Sequence, residues 1–145
     1  MNTFLPYASF VQSARVLDMR RLGKQRVETL QILRALHNPS YGWQNHPAVR
    51  MWRHSELRLI TYGLAMCDEW LRRGYKDTCR DKILSMTEHF AFSKEHWDPS
   101  WLNDDRLHDS HKSNLLRKDP TWYSKFNWDV RDDLEYVWPV TEERA

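Results

Sequence analysis

The chain has 145 residues, 41% hydrophobic and 29% charged, which fits one globular domain able to bury a core of its own. Its net charge of +2 excludes a protein that grips a polyanion by bulk charge alone, so the placement of charge has to be read instead. No apolar run is long enough to span a bilayer and residues 1 to 12 hold no signal-type core, so an unanchored cytoplasmic protein is expected, with Cys67 and Cys79 as free thiols.

Few β-branched runs and no strand-like alternation occur, so the pattern predicts an all-α, compact fold, undivided over residues 1–145. A short helix is expected over about residues 7 to 17, with Phe10, Ala14 and Leu17 on one side. Asp18 is placed to cap a second helix that runs to about His37, where Asn38-Pro39 stops it. "NPSYGWQNHP" (38–47) is rich in turn formers and reads as a loop. Pro47 then opens a long helix carrying Val49, Trp52, Leu57, Ile60, Leu64, Cys67 and Leu71 at helical period, closed by Gly74. Asp77 is a cap for a fourth helix through Phe90, and another is expected over about 103 to 117, before Asp119-Pro120. The tail "DVRDDLEYVWPV" reads as irregular, packing back through Val137 and Trp138. It belongs to an acidic end containing Asp132, Asp133, Glu135, Glu142 and Glu143. Most of the eight Trp and six Tyr are expected in the core, although such rings also stack on bases.

The second helix carries the densest charge. At 100° per residue, Leu22, Leu30, Leu33 and Leu36 share one arc, while Arg20, Arg21, Lys24, Glu28 and Gln31 share the opposite one. Arg26 lies toward the apolar arc, where it snorkels or pairs across an interface. Lys24 and Glu28, four apart, form an ordinary surface pair worth about 0.2–0.5 kcal/mol in one reading. In the other, the cations hold phosphates while Glu28 faces a sugar or base. Spacing does not choose between them.

Two further stretches are candidates for contact with an anion. "GWQNHPAVRMWRH" sets His46, Arg50 and Arg53 around a helix start, where phosphate is attracted. "HDSHKSNLLRK" offers His111, Lys112, Ser113, Asn114 and Arg117 as polar groups for phosphate or base. His108 and His111, three apart, lack a third ligand at matching spacing, so no metal is expected.

On these residues the chain resembles the pyrimidine-dimer DNA glycosylases. "RLGKQRVE" (21–28), "NHPAVRMW" (45–52) and "SHKSNLLRKDP" (110–120) mark a bacterial branch of that family. Against the small phage member, "LDMRRLGKQRVETLQIL" resembles its first catalytic helix and "MWRHSELRLITYGLAMCDEWLRRGYKDT" its long central helix. "DPTWY" resembles its C-terminal aromatic segment, and the three blocks cover about a third of the chain in the same order. The resemblance implies a cofactor-free enzyme, expected as a monomer, acting on double-stranded DNA with a damaged or modified base. It implies excision of the base followed by cleavage of the abasic site.

In that chemistry an amine attacks the sugar C1′, the base leaves, and the resulting imine permits β-elimination of the 3′ phosphate. The family nucleophile is the N-terminal α-amine, a class of group with a pKa of about 7.7–8.0 against about 10.4 for lysine, so more of it is neutral at pH 7. The family glutamate falls on Glu28. The two arginines that flank it in the phage member are Val27 and Gln31 here, so the cations of this chain stand at Arg20, Arg21, Lys24 and Arg26 instead. Asn2 follows Met1, which assigns the amine to Met1, or to Asn2 after processing, with Lys24 as the alternative nucleophile. Two other readings compete: a nucleic-acid-binding module of the same fold without the amine chemistry, and a protein-interaction domain using its tryptophans.

Overall fold

The computed structural model describes residues 1–90 and 98–140, and among these it contains helices and no strand. In chain order the helices are α1 (Phe10–Val16), α2 (Met19–His37), α3 (Pro47–Arg50), α4 (Glu56–Arg72), α5 (Arg80–Ser85), α6 (Asp105–Lys118) and α7 (Pro120–Tyr123). Short 3-10 turns follow α5 and α7, over Met86–Phe90 and Ser124–Phe126. No helix among the described residues is long and apolar enough to cross a membrane. Glu142 and Glu143 of the acidic end lie outside the described residues.

α2 is the helix that sequence describes best. Asp18 caps it by accepting the Arg21 N–H at 3.4 Å, and the helix ends at His37 before Asn38-Pro39. The Asp18 carboxyl is itself secured: Tyr123 donates its hydroxyl to it, and Arg21 lies 3.2 Å away. Burial raises its pKa, but the bonds from Tyr123 and Arg21 outweigh this and hold it below the usual carboxylate range. Leu22, Leu30 and Leu33 are buried along one arc, as the periodicity predicts.

α2 packs along α4, and α1 and α5 close on α4 from other sides. Gly63 lets α2 and α4 approach: a Cβ there would stand 2.5 Å from Thr29 Cγ2 and 3.1 Å from Ile83 Cδ1. The long helix expected from Pro47 to Gly74 is two helices. The chain turns at Met51–Ser55, with His54 left-handed at φ 74°, and the Glu56 carboxylate accepts the His54 N–H at 3.0 Å. Apolar period continues across the break because Trp52 faces the core from the turn as it would from a helix. The helix expected from Asp77 through Phe90 is also shorter, starting at Arg80 and tightening to 3-10 from Met86. Asp77 accepts the N–H groups of Cys79 and Arg80 at 3.2 and 2.7 Å.

Residues 2–5 belong to no helix, yet all four are buried. Backbone groups in that position need partners from elsewhere. Gln25 of α2 accepts the Phe4 N–H at 2.7 Å, and Tyr62 of α4 donates to the Phe4 carbonyl at 2.9 Å. In α6, His111 Nδ1 accepts the Leu5 N–H at 2.7 Å, and His108 Nδ1 lies 2.7 Å from the Leu5 carbonyl. His108 Nε2 accepts the Asn103 N–H at 3.1 Å, so its proton sits on Nδ1 and is donated to Leu5. Trp52 Nε1 donates to Thr3 Oγ1 at 3.0 Å.

The tail folds back, as expected, through Val137 and Trp138. Ser110 and Ser113 of α6 accept the N–H groups of Val137 and Leu134 at 3.1 and 2.9 Å.

Two tests of this architecture follow. Gly63→Ala forces a methyl group into the α2–α4 contact and is expected to cost about 1–3 kcal/mol of stability, read as a lower urea midpoint at unchanged m-value. Burial, then the neighbouring His108, lower the His111 pKa to about 3. The folded ring stays neutral while the unfolded ring binds a proton, so no penalty exists above pH ~6.5 and one accumulates as pH falls toward 3. Between pH ~6.5 and ~4.5 this adds up to about 1.4 kcal/mol of lost stability per pH unit; His111→Asn, whose amide oxygen can accept the Leu5 N–H, should flatten that slope.

Candidate active site

Because residues 2–5 are threaded between α2, α4 and α6, the start of the chain arrives at the middle of α2. The Asn2 N–H donates to Glu28 Oε1 at 3.2 Å. Met1 is one residue further, which puts its α-nitrogen within about 7 Å of that oxygen. Gln25, one turn before Glu28, donates from Nε2 to the same Oε1 at 3.1 Å. Its own Oε1 accepts the Phe4 N–H and lies 2.5 Å from the Tyr62 hydroxyl, whose one proton it shares with the Phe4 carbonyl. One amide side chain thus fixes both the terminal segment and the carboxylate.

Met1, Asn2, Lys24 and Glu28 line a cleft of about 370 Å³. Arg20 and Arg21 stand on one rim of this cleft and Lys118, from the end of α6, on another. Tyr136 and Trp138 of the tail form an aromatic wall. That wall rests on Phe4 and His46, with ring centroids 6.4 Å apart for Phe4–Tyr136 and 6.0 Å for His46–Trp138. Burial raises the pKa of the Tyr136 hydroxyl, and the Asn2 side chain pulls it partly back. Glu28 is half-buried and forms no ion pair with Lys24; its neutral partners are an amide and a backbone N–H. A carboxylate held by fixed dipoles rather than by a cation keeps its charge directed at whatever enters the cleft.

His46 lies near this centre without lining the cleft. Its Nδ1 accepts the Ala48 N–H at 2.9 Å and so caps α3. Burial and then the positive terminal amine lower its pKa, against an opposing pull from Glu28. The imidazole is therefore neutral at pH 7, with its proton on Nε2.

The remaining expected contacts are distributed differently. Arg26 pairs with Asp77 and stacks over the Trp70 ring at 4.2 Å, with its side chain 11% exposed. Interface pairing is the alternative realised, and Arg26 does not line the cleft. His111, Ser113 and Asn114 are buried. His111 and Ser113 hold the terminal segment and the tail, and Asn114 Nδ2 donates to the Ser110 and Leu134 carbonyls at 2.8 and 3.1 Å. These three side chains, expected to contact phosphate or base, have polar atoms bonded to other segments of the protein. Arg117 binds the Asp132 and Leu134 carbonyls of the tail, and Lys112 sits over the Tyr7 ring at 5.1 Å. Arg53 reaches the Gln44 carbonyl at 3.4 Å, and neither it nor Arg50 lines the cleft. Among the described residues no group of three or more His, Cys, Asp or Glu is placed to hold a metal.

Sequence reasoning missed Gln25, Tyr62 and Tyr136. Gln25 carried a signal, since it sits three residues before Glu28 on the same helix and faces the core. The others come from distant segments and carried none.

No curated protein and no solved structure matches the chain. A family model described as pyrimidine dimer DNA glycosylase matches residues 1–83, which include the terminal segment, the whole of α2 with Glu28, and α4. That match takes in more than half of the 145 residues, and on it the chain belongs to the pyrimidine dimer DNA glycosylase family.

Proposed function

We propose that this chain is a DNA repair glycosylase that also cleaves the abasic site it makes, through a covalent imine between the N-terminal amine and the sugar. The observation that carries the reading is the Asn2 N–H donated to Glu28 at 3.2 Å, at the floor of a cleft rimmed by cations. With Met1 retained, its α-amine is the nucleophile; with Met1 removed, the nitrogen already bonded to Glu28 becomes the α-amine. Lys24, exposed one turn from Glu28 and lining the same cleft, is the alternative.

The steps balance as follows. The neutral amine forms a bond to C1′ while the glycosidic bond breaks, and the base departs with the electron pair and takes up a proton. Loss of the amine proton and opening of the C1′–O4′ bond give the imine. Removal of a C2′ proton then expels the 3′ phosphate, and water hydrolyses the imine to free the enzyme. Glu28 stabilises the cationic sugar and serves the proton transfers of ring opening and elimination. Arg20, Arg21 and Lys118 are assigned to the phosphates on either side, and the Tyr136–Trp138 wall to the extruded nucleotide, because a stacked base is out of reach of the amine. Duplex DNA is the substrate, and a pyrimidine dimer is the lesion most consistent with the family.

Borohydride reduction tests the covalent step. Wild-type protein should be trapped on an abasic duplex, whereas a non-catalytic binding module would retain the DNA without a covalent product. Glu28→Gln should lower strand cleavage by at least about 10²-fold with affinity for abasic DNA changed less than about threefold. Undiminished cleavage in that variant removes Glu28 from the mechanism. Intact mass and peptide mapping of the trapped species should place the sugar on the first residue of the mature chain; a sugar on Lys24 assigns the chemistry to the side-chain amine instead.

A further inference from the structure

We propose that a second groove, between the C-terminal ends of α1 and α4 and the start of α7, carries the phosphate backbone of the DNA that flanks the reacting nucleotide. This rests on the glycosylase reading above. The groove encloses about 410 Å³, and its lining includes Arg15, Arg72, Arg73 and Lys125 and no acidic residue. Arg72 and Arg73 share one partner, Glu69, whose side chain is 4% exposed, so that trio leaves one positive charge at the surface. Arg15 and Lys125 are exposed and add two more.

The groove is built in advance of any ligand. Arg73 donates to the carbonyls of Ala14 and Arg15 at 3.2 and 3.1 Å, which ties α4 to α1. Trp122 Nε1 donates to the Val16 carbonyl at 2.7 Å, which ties α7 to the same end of α1. Lys125 Nζ lies 3.3 Å from the Trp122 ring centre, held over the groove by the ring face.

Continuity with the candidate active site favours DNA over any other polyanion. Met19 lines this groove and also a shallow cleft that contains Arg20, Lys24 and Glu28. The groove therefore adjoins, across the apolar Met19 side chain, the surface that carries Arg20, Lys24 and Glu28. Met19 and Glu28 are nine residues apart on α2, about 14 Å along the axis, and a duplex advances about 3.4 Å per base pair. A backbone that follows α2 meets the groove about four base pairs from the reacting sugar, on one side of it. An acidic peptide would have no reason to be led to the carboxylate of Glu28.

The test compares wild type with Arg15→Ala/Lys125→Ala, two exposed substitutions, and with the reversed pair Arg15→Glu/Lys125→Glu, each checked for an unchanged thermal midpoint. Binding is measured against salt on duplexes holding an uncleavable abasic analogue, with long flanks or with either flank cut to below about four base pairs. On the long duplex the slope of log K against log salt should become shallower by about 1.8 in the alanine pair, one increment of about 0.9 per phosphate contact. Cutting back one particular flank should abolish the difference between variant and wild type, and cutting the other should not. Equal slopes on the long duplex overturn the proposal, as does an equal loss on every duplex. Polyglutamate competing as well as DNA, with the duplex slopes unchanged, assigns the groove to an acidic protein and overturns it too. Failure of the glycosylase reading shows separately, as wild-type protein that binds the analogue but is not trapped by borohydride on a true abasic site.

Discussion

Everything in this structure depends on burying four residues that have no secondary structure of their own. A chain segment in the core without helix or strand leaves its backbone groups to be paired by side chains, at a cost of about 1–3 kcal/mol for each one left out. Here Gln25, Tyr62, His108 and His111 supply those partners from three different helices. The arrangement accounts for the buried Gln25 in α2, Tyr62 in α4, and His108 and His111 in α6. It also delivers the chain terminus to a fixed place beside α2, which a loose N-terminal arm would never do.

The same arrangement sets the charge balance of the cleft. Glu28 is surrounded by cations along α2, yet its hydrogen bonds come from a neutral amide and a backbone N–H. Arg21 pairs with Asp18 and Arg26 with Asp77, so neither forms an ion pair with Glu28. The carboxylate is thereby oriented without being neutralised. An acid quenched by a direct ion pair would spend its field on a side chain instead of on a developing positive charge in the cleft.

Sequence made some of this legible and hid the rest for identifiable reasons. α2 was readable from Asp18 to His37 because its cap, its apolar arc and its Asn-Pro stop all agree. The break between α3 and α4 was hidden because Trp52 keeps the helical period of burial while the backbone turns. Glu28, Lys24, Arg20 and Arg21 were readable as a constellation because one helix face holds them together. The segment "HKSN" in α6 looked like a surface for anions, since His, Ser and Asn are polar in composition. Its role is interior, and no local pattern distinguishes a polar side chain aimed at solvent from one aimed at another segment's backbone. Lys118, Tyr136 and Trp138 join the cleft through long-range folding, which spacing does not encode.

The family match ends at residue 83, but contacts that build the candidate site cross that point. The two histidines that grip Leu5, and the tail that walls the cleft, both come from beyond that point. On the proposed mechanism, reactivity and selectivity are written in different stretches of the same polypeptide. The first stretch holds the groups that would make and break bonds; the later one shapes the space in which a nucleotide must fit. Exchange of the tail alone between relatives, with His108 and His111 kept, would then retune which lesion is admitted while the reacting groups stay where they are.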